Sequence, residues 1–127
     1  MEVLTPRSLD EALARKAEHP SALPIQGGTD VMVALNFDRA RPDVLLNLNE
    51  VEELRGWSRE NGTLRLGAGL TYTDAMSDDL AAELPALAEA SRTVGSPQIR
   101  NRGTVGGNLG TASPAGDALP PLLVEGA

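Results

Sequence analysis

The stretch from residue 95 to residue 116 has the residue types of a phosphate-binding segment. It reads GSPQIRNRGTVGGNLGTASPAG, and its only charged residues are Arg100 and Arg102, in a chain of formal net charge −7. Glycines let a backbone approach a ligand closely, and successive main-chain amides in such turns converge on an anion. The composition therefore fits a diphosphate ligand. It also fits simple tight turns with two solvated arginines, which is the commoner explanation for composition alone.

A second glycine pair lies early in the chain, in the run Gly27-Gly28-Thr29-Asp30. It follows a short apolar stretch and precedes a predicted helix, so its amides are expected to point outward at a helix N-terminus. The run has neither the spaced glycines of a dinucleotide fingerprint nor the lysine of a P-loop, and alone it is a weak signal. Together, the two glycine segments predict one ligand held between them.

The composition excludes several other kinds of site. The chain has no cysteine and one histidine, His19, so thiol nucleophiles, cysteine-bound iron–sulfur or zinc centres and histidine clusters are not expected. The acidic balance argues against nucleic-acid binding. Neither a secretory signal nor a long apolar run is present, so we expect a cytoplasmic protein without membrane insertion.

The elements that must position the glycine segments follow from local patterns. A capping box of Ser8 and Glu11 starts a helix to Glu18, and Thr29 or Asp30 is expected to cap a second one. The predicted order of the first lobe, residues 1–50, is helix 8–18, strand 22–26, a helix ending at residue 36 and strand 44–48. This is a small α/β lobe with the order α-β-α-β.

The second lobe, residues 51–127, is predicted to begin with a hairpin around Glu60-Asn61-Gly62. Thr71 or Thr73 is expected to cap a short helix. Apolar spacing from residue 80 to residue 93 predicts a helix that restarts at Pro85. Residues 95–116 are expected to form a long loop, followed by a helix over residues 118–124. The lobe is therefore expected to be mixed or antiparallel α+β.

The runs LPIQGGTD, from Leu23 to Asp30, and GSPQIRNRGTVGGNLGTASPAGD, from Gly95 to Asp117, resemble the two flavin-binding loops of the FAD-binding domain of molybdopterin-dependent dehydrogenases. That family includes the medium subunits of carbon monoxide dehydrogenase and the flavin domain of xanthine dehydrogenase. The likeness covers nearly the whole chain. It implies an α+β fold of two lobes, the FAD-binding fold of the PCMH type.

Domains of this family continue with a further C-terminal subdomain. This chain stops within an apolar helical segment at residues 122–127. We therefore expect that the C-terminal subdomain is missing, that the domain is incomplete, and that the fragment alone binds FAD weakly and is inactive.

The resemblance also implies which residues bind FAD. The backbone from Pro24 to Val31 would wrap the pyrophosphate. Thr104, Gly106, Gly107 and Asn108 would complete the clamp, and Asp117 would accept hydroxyl donors of the cofactor. The expected cofactor-binding set is Pro24, Ile25, Gln26, Gly27, Gly28, Thr29, Asp30, Val31, Thr104, Gly106, Gly107, Asn108, Thr111, Ser113 and Asp117.

Other roles remain open for some of these side chains. Asn108 would also suit a left-handed turn after Gly106-Gly107, and Asp117 a helix N-cap. Arg100 and Arg102 are expected to be solvated. Trp57, Tyr72 and Phe37 are expected to be core or lobe-packing residues rather than a platform for the flavin.

The function that the resemblance implies is that of an FAD-binding electron-transfer subunit of a molybdenum hydroxylase. Its partners would be a molybdopterin-binding large subunit and a two-cluster iron–sulfur small subunit, and its electrons would pass to an external acceptor. Because a flavin carries its own redox chemistry, no catalytic side chain and no metal ligand are expected in this chain. The alternatives are a self-contained FAD-dependent reductase of the same broad fold and a non-catalytic truncated remnant.

Overall fold

The computed structural model describes residues 1–127, which form five strands and eight short helices. In chain order they are β1 (Glu2–Leu4), α1 (Leu9–Glu18), β2 (Leu23–Ile25), α2 (Val31–Asn36), β3 (Val44–Asn47), a 3₁₀ turn (Glu52–Leu54), β4 (Trp57–Glu60), β5 (Thr63–Leu66), α3 (Tyr72–Ala75), α4 (Asp78–Glu83), α5 (Pro85–Arg92), α6 (Pro97–Arg102), α7 (Val105–Thr111) and α8 (Leu119–Val124). The predicted α+β class is confirmed. No helix has the length and apolar character needed to cross a bilayer.

The first lobe is built on a three-stranded parallel sheet in the order β1-β3-β2. Leu45 and Leu46 of the central strand are buried, since β3 has a neighbour on each side. The hydroxyl of Ser8 accepts a hydrogen bond from the amide of Glu11 at 3.1 Å and begins α1 as predicted. The carboxylate of Glu11 accepts from the amide of Arg7 rather than that of Ser8. The reciprocal half of the predicted capping box is therefore displaced by one residue.

Strand β1 was not predicted, so the observed order is β-α-β-α-β. It has only three residues, and Val3 is 54% exposed, which leaves no periodic pattern to recognise. Its partner β3 is distant in sequence, and the two strands are joined by hydrogen bonds such as that from the amide of Glu2 to the carbonyl of Asp43 at 2.8 Å. Tertiary pairing rather than local propensity makes this segment a strand.

The second lobe contains the predicted hairpin. Strands β4 and β5 pair antiparallel, and Asn61 and Gly62 adopt positive φ angles of 50° and 78° at the turn, as a type I′ turn requires. Thr71 and Asp74 form a complete capping box at the start of α3. Pro85 occupies the first turn of α5, which confirms the predicted restart there. The lobe boundary at residue 50 stays a prediction.

One cluster of nine buried residues lies among the helices that follow the hairpin. It consists of Leu70, Tyr72, Ala75, Leu80, Leu84, Leu87, Val94, Val105 and Ala118, with Trp57 packed at its margin. The expectation of a core or packing role is thus met by Tyr72 and Trp57. It is wrong for Phe37, which is 68% exposed and carries the guanidinium of Arg39 over its ring at 5.5 Å.

The glycine-rich segment is not one long loop, because residues 97–102 and 105–111 form α6 and α7. Two caps compensate for its poor helix formers: the hydroxyl of Ser96 accepts from the amide of Ile99, and that of Thr104 from the amide of Gly107. Gly106 and Gly107 do not adopt positive φ. Asn108 is consequently a helical residue, and its interpretation as a left-handed turn residue is wrong.

Two predicted caps are also corrected. Helix α8 begins after Ala118 and has no side-chain cap, so Asp117 is not its N-cap. Asp30 stands before α2 but makes no capping hydrogen bond. Its carboxylate instead accepts from the hydroxyl of Thr111 at 2.8 Å, a partner 81 residues away that no local pattern indicates.

The glycines of α7 predict opposite responses to the same substitution. In Gly106→Ala the new Cβ would lie 2.6 Å from the carbonyl oxygen of Ala68, which is backbone and cannot turn aside, whereas at Gly110 it would meet nothing within 4 Å. We expect Gly106→Ala to lower the free energy of unfolding by about 1–3 kcal/mol. Gly110→Ala should raise it by up to about 1 kcal/mol through helix propensity. Urea denaturation measures both, and equal effects would contradict the close approach at Gly106.

Candidate functional site

A cleft of about 670 Å³ runs between the β2–α2 loop and the segment that carries α6 and α7. Its volume is within the range of about 300–1,000 Å³ typical of small-molecule and cofactor sites. All fifteen residues of the predicted cofactor-binding set line it, including Gly28 on one side and Gly107 on the other. The structure therefore brings both glycine segments to one cavity, although their contacts with a ligand stay a prediction.

The β2–α2 loop presents unused hydrogen-bond donors to this cleft. None of the main-chain amides from Gly27 to Asp30 donates to an acceptor in the protein. Gly28 has a φ of +80°, which favours glycine, and the loop leads directly into α2. Consecutive free amides just before a helix are the arrangement that binds phosphate groups.

Gly27 is fixed against the end of α6. A Cβ at this position would overlap the carbonyl group of Arg102 far inside van der Waals contact, so no other residue fits without moving backbone. The same two residues are joined by a hydrogen bond of 3.3 Å from Nε of Arg102 to the carbonyl of Gly27. This contact seats the β2–α2 loop beside the second glycine segment.

The opposite wall differs from the first, because its amides already have acceptors. The amide of Gly106 donates to the carbonyl of Ala68 at 2.9 Å, and those of Gly107 and Asn108 donate to the hydroxyl and carbonyl of Thr104. The donors that remain here belong to side chains, among them the hydroxyl of Thr104, which has no acceptor in the protein. Glycine on this wall provides close packing, and Thr104 provides the hydrogen bond.

Asn108 connects the cleft to α8. Its Oδ1 accepts from the amide of Ala118 at 3.2 Å, and a Cβ on Gly116 would lie 2.9 Å from that oxygen. The same side chain also lowers the pKa of the neighbouring Tyr72 hydroxyl. Asn108 is therefore tied to the start of α8 from within the cavity wall.

Tyr72 is a cleft residue that the sequence did not reveal. It is 5% exposed and belongs to the core, yet it also lines the cavity. Burial raises the pKa of its hydroxyl to about 12, with smaller contributions from the negative charges of Asp117 and Asp30, and the hydrogen bond with Asn108 acts in the opposite direction. Its place on the buried face of α3 indicated a core position only.

The remaining lining is largely apolar or small and comes from several elements. Leu48, Leu54, Val94 and Ile99 supply apolar surface, and none of them stood out in the sequence. Arg100 and Arg102 do not line the cleft. Nε of Arg100 donates to the carbonyl of Val94 at 2.7 Å and shapes the turn before α6.

Comparison with known proteins gives a family match over the whole chain. The model of the FAD binding domain in molybdopterin dehydrogenase matches residues 1–127. The nicotinate dehydrogenase FAD-subunit of Eubacterium barkeri is 38% identical over 125 residues, which are 95% of this chain and 42% of that protein. The carbon monoxide dehydrogenase medium chain of Hydrogenophaga pseudoflava is 36% identical over 114 residues, covering 88% of this chain and 40% of that protein.

Solved structures show the same likeness. Carbon monoxide dehydrogenase from Hydrogenophaga pseudoflava superposes with a TM-score of 0.88 at 34% identity, covering 93% of this chain and 42% of the other. The reconstituted enzyme from Oligotropha carboxidovorans gives a TM-score of 0.89 at 32% identity, with the same coverage. The chain thus spans less than half the length of the relatives that it matches.

The environment of Tyr72 predicts a high titration midpoint. We expect its hydroxyl to ionise near pH 12 instead of about 10. Because the folded-state pKa is raised, the associated stability is present below about pH 10 and is lost as the pH rises toward 12. Tyr72 is the only tyrosine, so the ultraviolet absorbance of phenolate reports it alone. Asp117→Asn should lower the midpoint by removing a negative charge, while Glu125→Gln at the exposed end of α8 should not. A wild-type midpoint near 10 would contradict the burial of Tyr72.

Proposed function

This chain belongs to the family of FAD binding domains in molybdopterin dehydrogenases, with FAD as its cofactor, and we propose that the cleft binds FAD with its pyrophosphate on the β2–α2 loop. The observation that carries this proposal is the run of unpartnered amides from Gly27 to Asp30 on the cleft wall. A diphosphate supplies the acceptors that these donors lack, and each such charge-assisted bond is stronger than a neutral one. The contact of Gly27 with Arg102 keeps the loop in place for this role.

Other residues of the cleft are placed to bind the remaining parts of the dinucleotide, namely its second phosphate contact, its sugar hydroxyls and its rings. The hydroxyl of Thr104 donates to the phosphate from the opposite wall. The carboxylates of Asp30 and Asp117 would repel phosphate and therefore accept hydroxyl groups of the sugar chains, as Asp30 already does with Thr111. Leu48, Val94 and Ile99 offer apolar surface to a ring system.

The chain's role in catalysis is to bind and orient. The bound flavin supplies the electron-transfer chemistry, and the protein supplies position and electrostatics. We propose that this chain is the FAD-binding part of a molybdenum hydroxylase, in which electrons from the iron–sulfur clusters of a partner subunit reach an external acceptor. The relatives named as an FAD-subunit and a medium chain support this assignment.

A change at Thr104 tests the site. Thr104→Val keeps the shape but removes the hydroxyl, and should weaken FAD binding about tenfold through loss of one hydrogen bond to a charged group. Thr104→Ser keeps the hydroxyl and should bind FAD as the wild type does. Titration of flavin fluorescence measures both affinities. Melting of the FAD-free variants separates this effect from loss of the α7 cap. Equal affinities for Val and Ser would refute the role of Thr104.

Isolation of the native complex tests the wider proposal. An affinity tag on this chain should co-purify a molybdenum-containing subunit and an iron–sulfur subunit, with FAD, molybdenum and iron in fixed ratios. The organic substrate should then bleach the flavin absorbance only when all subunits are present. A flavoprotein that purifies without molybdenum or iron, and is reduced by its own substrate, would instead support a self-contained reductase.

A further inference from the structure

A second pocket, of about 300 Å³, adjoins the FAD cleft and shares only Gln26 and Thr104 with it. No hydrophobic residue lines it. The lining consists of polar side chains and two glycines, Gly56 and Gly69. A cavity made wholly of polar side chains and glycines suits a small polar ligand rather than a ring system.

This polar pocket has a surplus of hydrogen-bond donors. Arg102 uses only Nε, in its bond to Gly27, so both of its terminal nitrogens lack an acceptor in the protein. The Oδ1 of Asn101 is taken by the hydroxyl of Thr73 at 2.6 Å, which leaves the Nδ2 hydrogens of that amide to donate elsewhere. The side-chain amide of Gln26 lies against Gly69, where any Cβ would displace it, and has no partner in the protein.

The charges of the polar pocket are also unequal. Asp74 is its only acid, and the carboxylate already accepts from the amide of Thr71 at 3.0 Å. Arg55 is held by the carbonyl of Asn49 at 2.7 Å and by Glu52, which does not line the pocket, at 3.4 Å. That ion pair is exposed and contributes little. Arg102 is therefore the cation most free to bind a ligand, in a chain that is otherwise acidic.

We propose that the polar pocket binds a small oxyanion, a phosphate or carboxylate group, with Arg102 as its charged ligand and with Gln26 and Asn101 as neutral donors. The planar guanidinium presents paired N–H groups that match two oxygens of such a group. Neither Arg102 nor Asn101 lines the FAD cleft, so this site is distinct from the one that holds the cofactor.

Titration with inorganic phosphate at constant ionic strength tests this site, read from the ¹⁵N–¹H correlation spectrum of the FAD-loaded chain. The amides of Gly56, Gly69 and Asn101 should shift saturably, while Gly28 and Gly107 of the cleft should not, because each pocket has its own glycines. Glycerol 3-phosphate forms the second arm. Tighter binding of the ester would identify a phosphorylated metabolite as the ligand, and equal binding would identify the free anion.

Two arginine variants complete the design. Arg102→Gln should weaken phosphate binding about tenfold or more, since it removes a charge-assisted pair. Arg92→Gln, on the exposed surface of α5, removes the same charge elsewhere and should leave the affinity unchanged. Absence of saturable shifts at Gly56 and Gly69, or equal affinity in Arg102→Gln, would overturn the proposal. On the FAD-free chain the shifts of Gly56 and Gly69 alone report this site, because phosphate can also reach the open cleft, so failure of this site and failure of FAD binding are separate results.

Discussion

The contact between Gly27 and the carbonyl of Arg102 is the constraint on which the site depends. These residues lie 75 positions apart, and no side chain fits between them. A backbone contact this close fixes the distance between the β2–α2 loop and the end of α6 without relying on flexible side chains. The cleft, its free amides and the neighbouring polar pocket all take their position from this junction, because Gln26 precedes Gly27 and Thr104 follows Arg102 by two residues.

The two walls of the cleft use glycine for different physical reasons. At Gly28 the residue adopts a positive φ, in a loop whose amides from Gly27 to Asp30 have no internal partners. At Gly106 it permits α7 to lie against the backbone of Ala68, and the amides there are consumed by the fold. A glycine-rich composition alone does not distinguish these uses. The glycine at position 28 lies in a loop with free hydrogen-bond donors, whereas the glycine at position 106 allows two backbone segments to pack closely.

The features that the sequence predicted well are those whose causes are local. The caps at Ser8 and Thr71, the turn at Asn61-Gly62 and the break at Pro85 depend on residues a few positions apart. The sites predicted from the family resemblance also converge on one cleft. Features that depend on distant partners were missed. Strand β1 exists because β3 lies beside it, and helix α7 packs against Ala68 and has a cap despite its glycines. Tyr72 belongs to both the core and the cleft lining, which are formed by residues distant in the chain.

The hydrogen bond between Thr111 and Asp30 has a consequence for how quickly the cleft exchanges its contents. It joins the end of α7 to the β2–α2 loop at the cleft and is exposed to solvent. An exposed bond of this kind contributes about 0.5–1.5 kcal/mol, which favours the bridged form by roughly two- to twelve-fold. Such a bias leaves the unbridged form well populated and rapidly reached. The bridge therefore opens at a small cost in free energy, and it does not by itself close the cavity to a ligand that enters or leaves.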